Sequence, residues 1–218
     1  MAERPDLELY FAVLRILEQT EAPYVIIGAF AGASYGVTRA TFDVDIVVDL
    51  DGQHIAALVE AFPSPRYYAD PEQMRNSIQL GILFNIIDTT EGRKVDLIPL
   101  TMKPGYAWAL DRRVRRSFLA RSGATFEAWC ARPEDVIVGK LMAWQEGRST
   151  KHEWDIRDIL TAVRLGDDPD VSRVFDFEYV NGWARRLGPD VEHEWHDLVR
   201  VIDLMRDGQL VAYLRHGT

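Results

Sequence analysis

The sequence predicts an α+β fold, a mixed sheet with helices followed by a helical C-terminal region. Short β-branched runs, punctuated by glycine, alternate with helix-spaced apolar stripes as far as about residue 100. Beyond residue 133 the strand signals stop and helical patterning alone continues. The 218 residues are 47% hydrophobic and 27% charged, an ordinary globular composition long enough to bury a sizeable core.

Taken in order, the first helix is expected from Asp6, an N-cap residue type, to Gln19. Leu7, Tyr10, Phe11, Leu14 and Leu17 form its apolar stripe. Pro23 closes that region, and Tyr24-Val25-Ile26-Ile27 reads as a buried strand. Gly28 follows, then a small-residue segment from Ala29 to Tyr35 that starts a helix. Phe42 to Val48 is a strand by its β-branched content. A helix over Gln53 to Phe62 is broken by Pro63 and Pro65. Ser77 to Asp88 and Arg93 to Leu100 predict two strands, and Thr89-Thr90-Glu91-Gly92 between them is a hairpin signal. Pro133 opens a helix to about Glu146, and further helices fit Lys151 to Leu165, Phe177 to Leu187 and Val191 to Arg206. The expected domains are 1–120, carrying the sheet, and 121–218, mainly helical.

Composition narrows the function classes. No apolar run reaches the roughly 18 residues of a membrane span. The N-terminus MAERPDLELY is acidic rather than leader-like, and Cys130 is the single cysteine. These features predict a cytoplasmic protein with no membrane partner. A net charge of −9 argues against whole-surface attraction to nucleic acid. A polyanion would have to bind a local patch, for which Arg112, Arg113, Arg115, Arg116 and Arg121 are the candidates. The competing reading of that cluster is a solvated connector.

The stretch from Gly28 to Asp49, GAFAGASYGVTRATFDVDIVVD, carries the chemistry. Aspartate is disfavoured in strands, yet Asp43 and Asp45 sit within the most strand-like segment. Their spacing of two projects both carboxylates from one face. Such a pair repels, and a bound divalent cation relieves the repulsion; hard Mg²⁺ prefers such oxygens. Asp96 is a third acid flanked by strand formers. If its strand neighbours that of Asp43 and Asp45, the three can hold two metals about 3.5–4 Å apart, the arrangement of phosphoryl and nucleotidyl transfer. Gly28, before a helix start, permits close backbone approach to a phosphate. Ser34, Arg39 and Thr41 supply polar or cationic groups ahead of the acids.

Ile27-Gly28 and Asp43-Val44-Asp45-Ile46 resemble the signature of the nucleotidyltransferase superfamily, whose polymerase β-like fold is shared by DNA polymerase β and aminoglycoside nucleotidyltransferases. More narrowly, Gly36-Val37-Thr38-Arg39-Ala40-Thr41-Phe42-Asp43-Val44-Asp45 is similar to the branch containing AbiEii-type toxins, as is the helix beginning Pro133-Glu134-Asp135 and holding Lys140. The resemblance covers roughly Val25 to Leu160. It implies a Mg²⁺-dependent enzyme that moves a nucleoside monophosphate from an NTP to an acceptor hydroxyl. It implies Asp43, Asp45 and Asp96 as catalytic and metal-binding residues. Gly28, Ala29, Arg39, Thr41 and Lys140 would bind the nucleotide, and a later acid, Asp155 or Asp158, would follow on the next helix. Ala29 departs from the glycine or serine of the signature, leaving phosphate contact there to backbone N–H groups. The implied acceptor is a tRNA end in a toxin–antitoxin setting, with a cognate antitoxin as partner, or a small aminoglycoside-type molecule. A non-catalytic, partner-binding module of the same fold is the alternative.

Each residue also has a plainer reading. Asp43 and Asp45 could guard an exposed edge strand. Lys140, one of four lysines, could snorkel at the surface. Asp155, close to Arg157 and Asp158, reads as a surface helix residue. His193 and His196 lack the spacing of HExxH, and no P-loop or Gly-x-Gly-x-x-Gly motif is present.

Overall fold

Helix α1 (Glu8–Gln19) buries Tyr10, Phe11, Leu14 and Leu17 of the predicted stripe, while Asp6 and Leu7 lie outside the described residues. The computed structural model describes residues 8–39, 44–102, 106–119, 123, 125–166 and 169–208, with the side chains of 165, 169 and 170 outside the description. The chain divides into two units. The first comprises Met1–Ser34 and Arg39–Arg132, the second Tyr35–Thr38 and Pro133–Thr218. The expected boundary at 120/121 therefore moves to Arg132. The reason is a hairpin that the sequence reading missed, β6 (Val114–Leu119) and β7 (Thr125–Cys130), which completes the sheet of the first unit.

Among the described residues that sheet has seven strands, the others being β1 (Tyr24–Ile27), β2 (Val44–Val48), β3 (Tyr67–Tyr68), β4 (Phe84–Asp88) and β5 (Arg93–Pro99). Their order is β3-β4-β5-β2-β1-β7-β6. β2 runs parallel to β5 and β1 parallel to β7, while the other neighbours are antiparallel. The sheet is thus mixed, as expected for the α+β class. Ile26, Ile46, Leu97 and Phe84 stand in one register row across β1, β2, β5 and β4, and none is measurably exposed. That row is the spine of the core.

The predicted hairpin over 89–92 forms, with Asp88 opposite Arg93. Asp88 fixes its turn: Oδ1 accepts from the N–H groups of Thr90 and Glu91 at 2.9 and 3.1 Å. Its Oδ2 accepts from Arg66 at 3.0 and 3.2 Å. The strand expected from Ser77 begins only at Phe84, because Ser77 closes helix α4 (Pro71–Leu80) with its neighbours. The Asp70 side chain caps that helix by accepting from Gln73 N–H at 2.7 Å, Pro71 occupies its first turn, and Gly81 ends it at φ +64°. Helix α2 (Gly28–Ala33) follows β1, and α3 (Gly52–Ala61) follows β2. A short α5 (Ala107–Asp111) precedes β6.

The second unit is helical, as predicted: α6 (Pro133–Gly147), α7 (Thr150–Leu165), α8 (Pro169–Ser172), α9 (Phe177–Leu187) and α10 (Pro189–Arg206). Ile137, Leu141, Ile159, Leu160, Val180 and Trp195 are buried there. Among the described residues no helix is long and apolar enough to cross a membrane.

Candidate active site

The pleat that buries the Ile26–Ile46–Leu97–Phe84 row turns the next row to the opposite face. That row is Ile27, Asp45, Asp96 and Asn85, in register across β1, β2, β5 and β4. The sequence expectation that the strand of Asp96 neighbours that of Asp45 is met, and the two acids lie side by side on one face of a parallel pair. Asp43 and Thr41 lie outside the described residues. Among the described residues, no group of three or more histidine, cysteine, aspartate or glutamate side chains is arranged to hold a metal ion.

Asp96 is buried, and its carboxylate is held by two neighbours that sequence reasoning did not single out. Asn85 Nδ2 donates to Oδ1. Lys94 Nζ donates to Oδ1 at 3.1 Å and to Oδ2 at 2.9 Å. Both follow from the hairpin: pairing Asp88 with Arg93 sets Asn85 opposite Asp96, and Lys94 shares the face by its spacing of two. The Lys94 ammonium compensates the charge of the buried Asp96 carboxylate. Two carboxylates in register on one face supply oxygen donors of the kind that a hard divalent ion takes.

Gly28 has a second role that the sequence reading did not assign. Its φ is +70°, a region open to glycine, and a Cβ there would fall onto Asp45 Oδ2 and lie 3.4 Å from Asp45 Cγ. Gly28 is thereby the wall against which the Asp45 side chain rests. Gly28→Ala is expected to destabilise the protein by about 1–3 kcal/mol through the left-handed backbone and the displaced carboxylate. Adding Asp45→Ala to it should recover part of that loss in thermal unfolding, because the obstructing group is then gone. Strict additivity of the two changes would exclude the clash. Ala29 is buried in α2, and Arg39 is exposed between the small helix and β2.

In the second unit, Lys140 on α6 is buried and pairs with Asp155 Oδ2 on α7 at 2.5 Å. This replaces two sequence readings. Lys140 is not a snorkelling surface lysine, and Asp155 is not a surface acid, since its side chain is only 1% exposed. Helical spacing explains it: Asp155 lies one turn before Ile159, beside the buried Ile156–Ile159–Leu160–Val163 stripe. Asp158 accepts from the backbone N–H and the Oγ1 of Thr38, each at 3.0 Å, and so anchors the Tyr35–Thr38 segment to this unit.

Three arginines of the cluster, Arg113, Arg115 and Arg116, are engaged within their own unit. Arg113 donates to the Leu110 carbonyl at 2.7 Å and lies over the Trp129 ring. Arg115 pairs with Glu18 and covers Trp129 at 4.9 Å, while Arg116 donates to the Ser34 carbonyl at 2.9 Å. Glu18 also accepts from the buried Tyr24 hydroxyl, whose pKa is raised well above the usual phenol range by burial and by that bond. Arg121 lies outside the described residues.

No family model matches the sequence, and no curated protein matches it. Solved structures do. The structure of an antigenic nucleotidyltransferase-like protein from Paracoccidioides brasiliensis aligns with a TM-score of 0.51 at 19% identity, covering 91% of this chain and 92% of the other. The antibiotic-resistance factor ANT(2'')-Ia aligns at 0.45 and 16% identity, covering 88% and 97%. JHP933 from Helicobacter pylori aligns at 0.43 and 14% identity, covering 94% and 91%. The fold of this chain, a mixed sheet with helices, is similar to that of the nucleotidyltransferase-like protein from Paracoccidioides brasiliensis.

Proposed function

We propose that the protein is a metal-dependent nucleotidyltransferase that moves a nucleoside monophosphate from an NTP to an acceptor hydroxyl. The observation that carries this reading is the register of Asp45 with Asp96 on adjacent parallel strands, within a nucleotidyltransferase-like fold. Asp45 and Asp96, together with Asp43, are the residues that would hold Mg²⁺. The ion's chemistry when bound would be to neutralise the triphosphate and to make the acceptor hydroxyl more acidic. Gly28 keeps Asp45 in its orientation by offering no side chain where the carboxylate lies. Asn85 and Lys94 orient Asp96. The acceptor oxygen bonds to the α-phosphorus as the bond to pyrophosphate breaks, and its proton passes to a carboxylate of the row. Arg39 and Thr41 are assigned to the nucleotide, with Ala29 contributing its backbone N–H.

For the acceptor, charge favours a small cationic molecule over RNA. The net charge is −9, and Arg113, Arg115 and Arg116 are engaged within their own unit. A tRNA end, with an antitoxin as controlling partner, is the second outcome to be tested. The experiment is incubation of the full chain with Mg²⁺ and each α-³²P-labelled NTP, with either total RNA or a panel of aminoglycosides as acceptor. Label is expected in the small acceptor and absent with an Asp43→Ala/Asp45→Ala protein. Label in RNA would reassign the acceptor. No label in either would replace the enzyme with a partner-binding module.

A further inference from the structure

We propose that Lys94 is the resident counter-cation of the carboxylate row, a positioning residue that holds Asp96 and competes with a divalent cation for it. The proposal rests on the metal-binding half of the reading above. Lys94 Nζ reaches both oxygens of Asp96, at 2.9 and 3.1 Å, and Asn85 also donates to Oδ1. The Asp96 side chain is 11% exposed and that of Lys94 46%. A carboxylate so nearly buried requires compensation, the more so with Asp45 in the adjoining register position. Asn85 supplies a hydrogen bond without charge, whereas Lys94 supplies charge.

The lysine is built to leave. Its ammonium is a compact charge with three donors on a flexible stem, and it stands on the solvent side of the pair. Swinging out would leave the nearly buried Asp96 carboxylate without its compensating charge, so the lysine leaves as a divalent ion takes its place. The alternative is an incidental surface contact, which would leave metal affinity unaffected.

The test reads metal binding by the full chain without nucleotide. Mn²⁺ is titrated by electron paramagnetic resonance and Mg²⁺ by calorimetry, for wild type, Lys94→Met, Lys94→Arg and Asp96→Asn. Lys94→Met is expected to bind Mn²⁺ roughly threefold to tenfold more tightly than wild type, because the competing charge is gone. Lys94→Arg should stay near wild type, since it keeps the charge, and Asp96→Asn should bind more weakly. Lys94→Gln, also neutral, repeats the comparison should the methionine protein fail to fold. Equal or weaker binding by the neutral variants overturns the proposal, as does the absence of Mn²⁺ binding in every protein. Tighter binding by Lys94→Met alongside a wild type that transfers no nucleotide would sink the transferase reading and leave this one standing.

Discussion

Asp45→Asn is expected to reduce nucleotidyl transfer on the order of a thousandfold while leaving the thermal midpoint unchanged or slightly raised. The asymmetry follows from the sheet. Asp45 faces Asp96 across a parallel pair, on the face opposite the Ile46–Leu97 core row. Asparagine is nearly isosteric, so the core is untouched and one like-charge repulsion disappears. What is lost is the second anionic donor of the described row, and with it the ability to neutralise a triphosphate. Rates measured with saturating Mg²⁺ and labelled NTP, beside a melting curve of the same sample, decide the matter. An Asp45→Asn protein that transfers at the wild-type rate would remove the acid row from the chemistry. One that fails to fold would make Asp45 a structural residue.

The second large effect concerns stability. Lys140→Ala is expected to destabilise the chain by about 3–5 kcal/mol, because it strips the cation from an Asp155 side chain that is 1% exposed. The double change Lys140→Met with Asp155→Leu should restore most of the loss, since an apolar pair of similar volume removes both charges at once. Urea midpoints with unchanged slopes would establish this. The pattern separates two assignments for Lys140. A deficit in the single variant that the double variant relieves marks the ion pair as a strut between α6 and α7. A single variant of wild-type stability that loses NTP binding marks the lysine as a phosphate ligand.

What could be read from the sequence depended on which signals were local. The 89–92 turn was legible, and it already contained the partners of Asp96. Once Asp88 is set opposite Arg93, Asn85 must face Asp96, and Lys94 must share that face. That step of arithmetic would have found both residues. Helix α4 was missed although Asp70, Pro71 and Gly81 spell its start and stop, because its polar composition leaves only Met74 and Ser77 buried. The β6–β7 hairpin was hidden by charge. Arg113 and Arg115 look solvated in sequence, but their long stems and planar heads pack on Trp129, a tertiary contact that no local pattern reveals. Asp155 was misread for a related reason. Its neighbours Arg157 and Asp158 suggest surface, and only the partner on α6 shows why a carboxylate can be buried there.

The four residues Tyr35–Thr38 belong to the helical unit although they are made long before it. Tyr35 and Val37 are buried, and the bond from Thr38 to Asp158 spans 120 positions of chain. At about 5–20 residues per second, translation separates those two partners by roughly 6–24 s. The nascent segment must wait that long for the helices it completes. A fragment starting at Pro133 would lack part of its own interior, so severing the polypeptide there amputates one unit rather than dissecting two.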